Sequence, residues 1–288
     1  MVDLNGDGKL DILSGSYSRM EKSMAGLFQV LWGEEGHAFA EAKALEGTDG
    51  EPLVIPANDE DEATKKICTR PTAVDWDGDG RLDLISGNFL GTFYVFHGEG
   101  AGKFQPKPEV VKAGESELKV TGAHSDPFVV DWDGDGDLDI LSGSGSGGVY
   151  WAENTAGKGK IPEMKAFVSL VEPSATQKMS FLKSGEYPAT PGGSTRIWAE
   201  DLNGDGKLDL LVGDTQTFGY PLEGASLEES MKKFKVWEKE LGKMGDEYRE
   251  AAEADQESAS EKFREYYDSR LKFMEEKSVG FVWAYLQK

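Results

Sequence analysis

The sequence predicts an all-β chain of repeated four-stranded antiparallel sheets, interrupted once by a helical hairpin. Three observations carry that reading. A nine-residue acidic segment recurs four times with the same flanks. Short apolar runs bounded by glycine accompany each copy. One stretch, residues 226–277, switches to a helical period.

The acidic segments are Asp3 to Asp11, Asp75 to Asp83, Asp131 to Asp139 and Asp201 to Asp209, aligned without gaps as Asp-x-(Asp/Asn)-Gly-Asp-Gly-x-x-Asp. Each is followed by an apolar run ending in glycine: Ile12 to Gly15, Leu84 to Gly87, Ile140 to Gly143 and Leu210 to Gly213. Such runs are too short for helices and read as buried second strands. A glycine then opens an aromatic-rich third strand, at Gly26, Gly91, Gly148 and Gly280. Fourth strands are expected near Phe39, Phe104 and Phe167, and first strands at 72–74, 128–130 and 197–199. Four-stranded antiparallel units repeated radially make a β-propeller. The expected blades cover residues 1–68, 69–123, 124–193 and 194–288 of a single domain, with the helical hairpin 226–277 inserted between the second and third strands of the last blade. In that insert Ser226 with Glu229, and Ser258 with Glu261, read as capping boxes, with a turn near Asp255–Ser258.

The formal charge of −22 argues against nucleic-acid binding, because phosphate contacts need lysine and arginine. No apolar run reaches the ~18 residues of a membrane helix. Cys68 is the single cysteine, so no internal disulfide can form. Met1-Val2-Asp3-Leu4 runs straight into the first motif with no leader, so the chain reads as truncated.

Oxygen-only loops of this spacing suit calcium, which takes about six to eight oxygen ligands. The side-chain ligands expected are Asp3, Asn5, Asp7 and Asp11; Asp75, Asp77, Asp79 and Asp83; Asp131, Asp133, Asp135 and Asp139; and Asp201, Asn203, Asp205 and Asp209. Position seven adds a backbone carbonyl, and up to four Ca2+ ions are expected. Fourteen of the 53 acidic residues occupy these ligand positions, so the acidity is partly concentrated and general solubility accounts for less of it. An EF-hand is excluded: position twelve is Ser14, Ser86, Ser142 or Val212 where a glutamate is required, and the flanks are strands.

These motifs resemble the FG-GAP or VCBS repeat family, the calcium-loop propellers that include the integrin α-subunit head and secreted bacterial repeat proteins. The resemblance covers nearly the whole chain apart from 226–277. It implies calcium between the first two strands of each blade, on one face, with ligands docking on the opposite face. Repeat one lacks most of its first strand, and repeat four stops at Gln287-Lys288 without a fourth. Either the four blades close on themselves or they belong to a longer propeller.

On the face opposite the loops, Arg70, Asp126 and Arg196 begin the innermost strands, with His124 close by; together they form a candidate ligand face for a protein or carbohydrate. The helical arm shares that face with linkers 46–69, 112–126 and 171–195, and is a candidate protein contact. No catalytic motif stands out: Gly143 to Gly148 matches G-x-G-x-x-G only by letters, since it leads into a strand. The expected function is therefore a non-catalytic extracellular binding or adhesion module. The alternative is a carbohydrate-active enzyme, such as a polysaccharide-lyase-like propeller, or a fragment of one. Extracellular calcium modules bind at about 10⁻⁴–10⁻³ M, which predicts an extracellular, cell-surface or periplasmic location.

Overall fold

The computed structural model describes residues 1–17, 24–25, 28–174, 180–181, 186–252 and 255–288. The chain divides into two compact units, the first comprising Met1–Ala175, Pro191–Asp214 and Phe281–Lys288, and the second Thr176–Thr190 and Thr215–Gly280.

The first unit is a series of antiparallel sheets, one per acidic repeat. Repeat two forms Arg70–Val74, Asp83–Gly87, Phe93–Phe96 and Glu109–Val110, each strand pairing with the next. Repeat three forms Asp126–Val130, Asp139–Gly143, Val149–Ala152 and Val168–Val171 in the same order. Repeat one contributes three strands, Ile12–Ser14, Gln29–Leu31 and Lys43–Ala44, with Val2 bridged to Asp11 where a first strand would lie. Repeat four contributes Gly193–Glu200, the first residues of Asp209–Pro221, and Val282–Tyr285. Among the described residues no ladder joins the fourth sheet to the first. Of the repeat-one segment read as a third strand, Gly26 and Leu27 lie outside the described residues.

Two fourth strands start later than the aromatics suggest. Phe104 belongs to a small hairpin, Gly98–Gly100 against Lys103–Phe104, and is buried there. Gly100, Ala101 and Gly102 all take left-handed φ, so the chain doubles back before reaching the fourth strand at Glu109. Phe39 makes only a bridge to Gly33, and pairing resumes at Lys43. The linker before repeat two also holds a helix the periodicity did not reveal, Glu60–Lys66, capped by Asp59, whose side chain accepts the Glu62 N–H at 2.8 Å.

The core lies between successive sheets. Leu4, Phe28 and Val30 of the first sheet meet Leu84, Tyr94 and Phe96 of the second. Trp76, Ile85 and Phe93 meet Ile140, Tyr150 and Ala152 of the third. Trp132, Leu141 and Val149 meet Ala199, Leu210 and Val212 of the fourth. The apolar residue at position two of a loop therefore packs onto the following sheet.

Hydroxyls stitch these sheets together. Thr69, Ser125 and Thr195 each stand six residues before a loop and are buried. The Thr69 hydroxyl accepts the Ser16 N–H at 2.9 Å, that of Ser125 the Asn88 N–H at 2.8 Å, and that of Thr195 the Ser144 N–H at 2.8 Å. Their own N–H groups return a bond to the same residue's carbonyl at 3.0 Å in each case. This close approach explains the glycine that ends the apolar run in repeats one, two and three. A Cβ at Gly15, Gly87 or Gly143 would lie 1.8, 2.4 or 2.1 Å from the next sheet's backbone carbonyl.

In the second unit, helices Leu227–Ala252 and Gln256–Asp268 rise from a ribbon in which Gln216–Pro221 pairs antiparallel with Met274–Val279. Ser226 accepts the Glu229 N–H at 3.2 Å, one half of the expected capping box, while the Glu229 carboxylate pairs with Lys233 at 2.7 Å. The second helix starts earlier than Ser258: Asp255 is its cap and accepts the Ser258 N–H at 3.1 Å. Phe234, Trp237 and Met274 form the buried centre, flanked by Phe181, Leu241 and Tyr266. The Trp237 indole donates to the Tyr266 carbonyl at 3.1 Å, while the Tyr266 hydroxyl donates to the Trp237 carbonyl at 3.2 Å. Met231 and Leu271, apolar residues of the same unit, are exposed.

Candidate metal centres

Each acidic loop is a turn between the first and second strands, wound by its own side chains. Gly6, Gly78, Gly134 and Gly204 have φ of 76–79°, and Gly8, Gly80, Gly136 and Gly206 have φ of 85–97°. Other residues rarely adopt this region, so the pair of glycines is what lets the loop curl. The first aspartate then accepts backbone N–H groups from across the loop. Asp3 takes Gly6 and Gly8 at 2.9 Å each, Asp131 takes Gly134 at 2.8 Å and Gly136 at 3.0 Å, and Asp201 takes Gly204 at 2.6 Å and Gly206 at 2.9 Å. The donated N–H bonds, that of Gly206 foremost, hold the Asp201 carboxyl below the usual carboxylate range.

In loops two and three, carboxylate oxygens of positions one, three and five lie within 4.8 Å of one another: Asp75, Asp77 and Asp79, and Asp131, Asp133 and Asp135. The Asn5 and Asn203 oxygens accept the Asp7 and Asp205 N–H groups at 2.9 and 2.8 Å. Two buried oxygens have no hydrogen-bond partner among the described residues, Asp75 Oδ1 and Asp137 Oδ1. Asp137 is buried at position seven of loop three, where the other loops carry Lys9, Arg81 and Lys207. Burial pushes its carboxyl up, with Asp135 and Asp133 adding repulsion. Uncompensated oxygens beside converging carboxylates suit a hard divalent cation. The donor set of these loops therefore fits the expected ion.

The ninth position has a second task that spacing alone did not disclose. Asp11, Asp83, Asp139 and Asp209 are buried. In each, Oδ2 accepts the N–H of position two, at 2.8–3.1 Å, from Leu4, Trp76, Trp132 or Leu202. Oδ1 accepts an N–H beyond strand three, from Gly33, Gly98, Asn154 or Gln287, at 2.7–2.9 Å. One carboxylate thus pins the loop to the third strand. Burial pushes Asp139 up to about 6 and raises Asp83.

Loop two has a neighbour that sequence spacing missed. His97 Nδ1 lies 3.5 Å from Asp77 Oδ2 and 3.6 Å from Asp83 Oδ1, and its Nε2 lies 3.8 Å from Glu109 Oε2. His97 stands one residue before Gly98; the matching positions hold Trp32, Glu153 and Leu286, so no repeat pattern flags it. It lines a cavity of about 920 Å³ together with Trp76, Asp77, Glu109, Ile161 and Glu163.

Three of the four candidate ligand-face residues meet in a charged chain. Arg70 Nη1 lies 3.7 Å from Asp126 Oδ1, and Arg196 Nε 3.7 Å from Asp126 Oδ2. Burial pushes the Asp126 carboxyl up against the opposing pull of Arg196 and Arg70. The His124 ring packs on Phe89 at 4.3 Å between centroids. Burial, then the charges of Arg70 and Arg196, hold its pKa down. Cys68, His124 and Ser194, each two residues before one of the three charged residues, share a left-handed φ of 53–63°.

Residues 75–142 and 131–212 match the model of the FG-GAP-like repeat, while no curated protein matches the chain. The matched spans contain repeat two from its loop onward, the whole of repeat three, and the first strand and loop of repeat four. Residues 75–212 of the chain are therefore FG-GAP-like repeats.

Proposed function

We propose that the chain is an extracellular, non-catalytic binding module whose acidic loops hold Ca2+ as a structural ion. One observation carries the reading: two loops converge three carboxylates within 4.8 Å, and loop two buries an oxygen of its first aspartate without a partner. Asp75, Asp77, Asp79 and Asp83 would hold the ion in loop two, and Asp131, Asp133, Asp135 and Asp139 in loop three. Asp3, Asn5, Asp7 and Asp11, and Asp201, Asn203, Asp205 and Asp209, offer the same pattern in loops one and four. The ion would neutralise carboxylates that otherwise repel and fix the loop joining the first two strands. The ligand is a protein or carbohydrate bound through Arg70, Asp126 and Arg196, with His124 neutral at neutral pH.

Calorimetric titration of calcium into chelator-stripped protein tests the metal reading. Heats that saturate with up to four ions per chain are expected, and Asp133→Ala should remove one of them. Absence of any heat or stoichiometric binding would overturn it.

The cavity beside His97 favours a second reading, a carbohydrate-active enzyme, because a histidine there sits between two carboxylates at a concave wall. Turnover of acidic polysaccharides that His97→Ala abolishes would select it over the binding module.

A further inference from the structure

Loop two differs from the other loops in having a ring nitrogen beside its carboxylates. His97 Nδ1 faces Asp77 Oδ2 at 3.5 Å and Asp83 Oδ1 at 3.6 Å. Both distances exceed those of an N–H···O hydrogen bond, about 2.7–3.2 Å. They suit two ligands of one first-row metal ion: bonds of about 2.0–2.1 Å at tetrahedral angles put the donor atoms about 3.3–3.4 Å apart. One ligand atom from each of Asp77, Asp83 and His97 lies within 4.8 Å of the other two.

Each donor is aimed by a neighbour. Asp83 is buried, and its carboxylate plane is fixed from both ends by the Gly98 N–H at 2.7 Å and the Trp76 N–H at 2.9 Å. A carboxylate oxygen carries two lone pairs, so Oδ1 can accept from Gly98 and still serve an ion. Asp77 Oδ1 accepts the Asp79 N–H at 3.1 Å, which turns Oδ2 toward the ring. On the far side of the imidazole, Glu109 Oε2 lies 3.8 Å from Nε2. The sheet register puts it there: Glu109 pairs with Val95, two residues before His97 and on the same face. A carboxylate in that place draws the ring proton to Nε2 and leaves Nδ1 as the bare donor, the arrangement found behind metal-bound histidines.

We propose that His97 Nδ1, Asp77 Oδ2 and Asp83 Oδ1 form a centre for one first-row divalent ion such as Zn2+, beside loop two and open to the cavity that His97 and Asp77 line. A mixed nitrogen and oxygen donor set suits such ions, whereas oxygen alone suits calcium. The cavity of about 920 Å³ leaves room for water to complete the shell. The matching positions of the other repeats, Trp32, Glu153 and Leu286, supply no nitrogen ligand, so the repeats hold one centre of this kind. The inference goes beyond the calcium reading: it borrows two carboxylates from loop two, but its nitrogen is no ligand of that loop, and the two readings can fail separately.

Calorimetric titration of Zn2+ into the chelator-stripped full chain tests this. One ion per chain should bind at micromolar affinity or tighter, ahead of any weaker filling of the oxygen-only loops. His97→Ala should weaken that ion by more than about 100-fold, beyond what loss of an outer-shell partner costs, and Glu109→Gln by about 10- to 100-fold. In ¹⁵N spectra the Nδ1 resonance of His97 should move on addition of one equivalent of Zn2+. Calcium titrated into His97→Ala should give the same heats as in the wild type, so a failed zinc centre and a failed calcium loop are read apart. A wild-type chain with no tight equivalent of Zn2+ would overturn the proposal and leave His97 as a counter-charge among carboxylates. So would a tight equivalent that His97→Ala retains.

Discussion

Glycine at the end of strand two is the residue on which repeat packing turns, and its four copies provide an internal control. At Gly143 an added methyl would sit 2.1 Å from the Thr195 carbonyl, a backbone atom that cannot step aside. Gly143→Ala should cost about 3 kcal/mol or more in chemical denaturation, at the upper end of overpacking effects. Gly213→Ala meets nothing closer than 3.9 Å and should change stability by less than about 0.5 kcal/mol. Equal costs at the two sites would contradict the packing described. The Thr195 hydroxyl accepts from Ser144 and donates to the Gly148 carbonyl at 2.7 Å. Thr195→Val keeps the shape, leaves both partners unpaired and should cost about 1–3 kcal/mol. Asp139 brings a pH dependence. Its folded pKa, pushed up to about 6 by burial, exceeds the roughly 3.9 of an unfolded aspartate. Its contribution is therefore full below about pH 4 and is lost as pH rises through 6. In chelator, the melting midpoint should fall across that window less steeply in Asp139→Asn than in the wild type; in calcium, which favours the ionised form, the difference should shrink or reverse.

At the scale of elements, the strands that follow the loops were legible because a short apolar run closed by a glycine leaves little choice. Asp83–Gly87 and Asp139–Gly143 coincide with the apolar runs at Leu84 and Ile140. The fourth strands were less legible, since Phe104 is apolar for a different reason: it fills the space between the first two sheets from a turn. The helix at Glu60–Lys66 is seven residues long, too short to show a period. The loop aspartates stood out by their spacing, but the hydrogen bonds by which the ninth pins the loop did not, because bonds to backbone N–H leave no mark on the partner's identity. The hydroxyl stitch did leave one, at Thr69, Ser125 and Thr195, six residues ahead of each loop. The helical unit rests on Trp237, which stacks on Tyr266 with planes 5° apart, donates its indole N–H to the Tyr266 carbonyl and accepts the Tyr266 hydroxyl at its own carbonyl. Trp237→Ala should destabilise those helices by about 3–5 kcal/mol, read as lost helical circular dichroism on mild heating.

For the molecule as a whole, the charge of −22 and the fold address the same problem. Sheets that share edges only through short strands and loops need those loops fixed. The loops are fixed by carboxylates whose mutual repulsion needs a counter-charge. In the proposed function structural calcium supplies it, and the measurement that tests this most directly is thermal unfolding in about 5 mM calcium against excess chelator. A site whose dissociation constant lies ten- to twentyfold below the calcium concentration stabilises by roughly 1.4–1.8 kcal/mol. Two such sites predict a midpoint at least about 6 °C higher in calcium, and four predict more. The rise should be smaller in the same concentration of magnesium, which demands a tighter octahedral shell. An identical midpoint in calcium and in chelator would mean that the loops stand as hydrogen-bonded turns without an ion, and the account would fail at its centre.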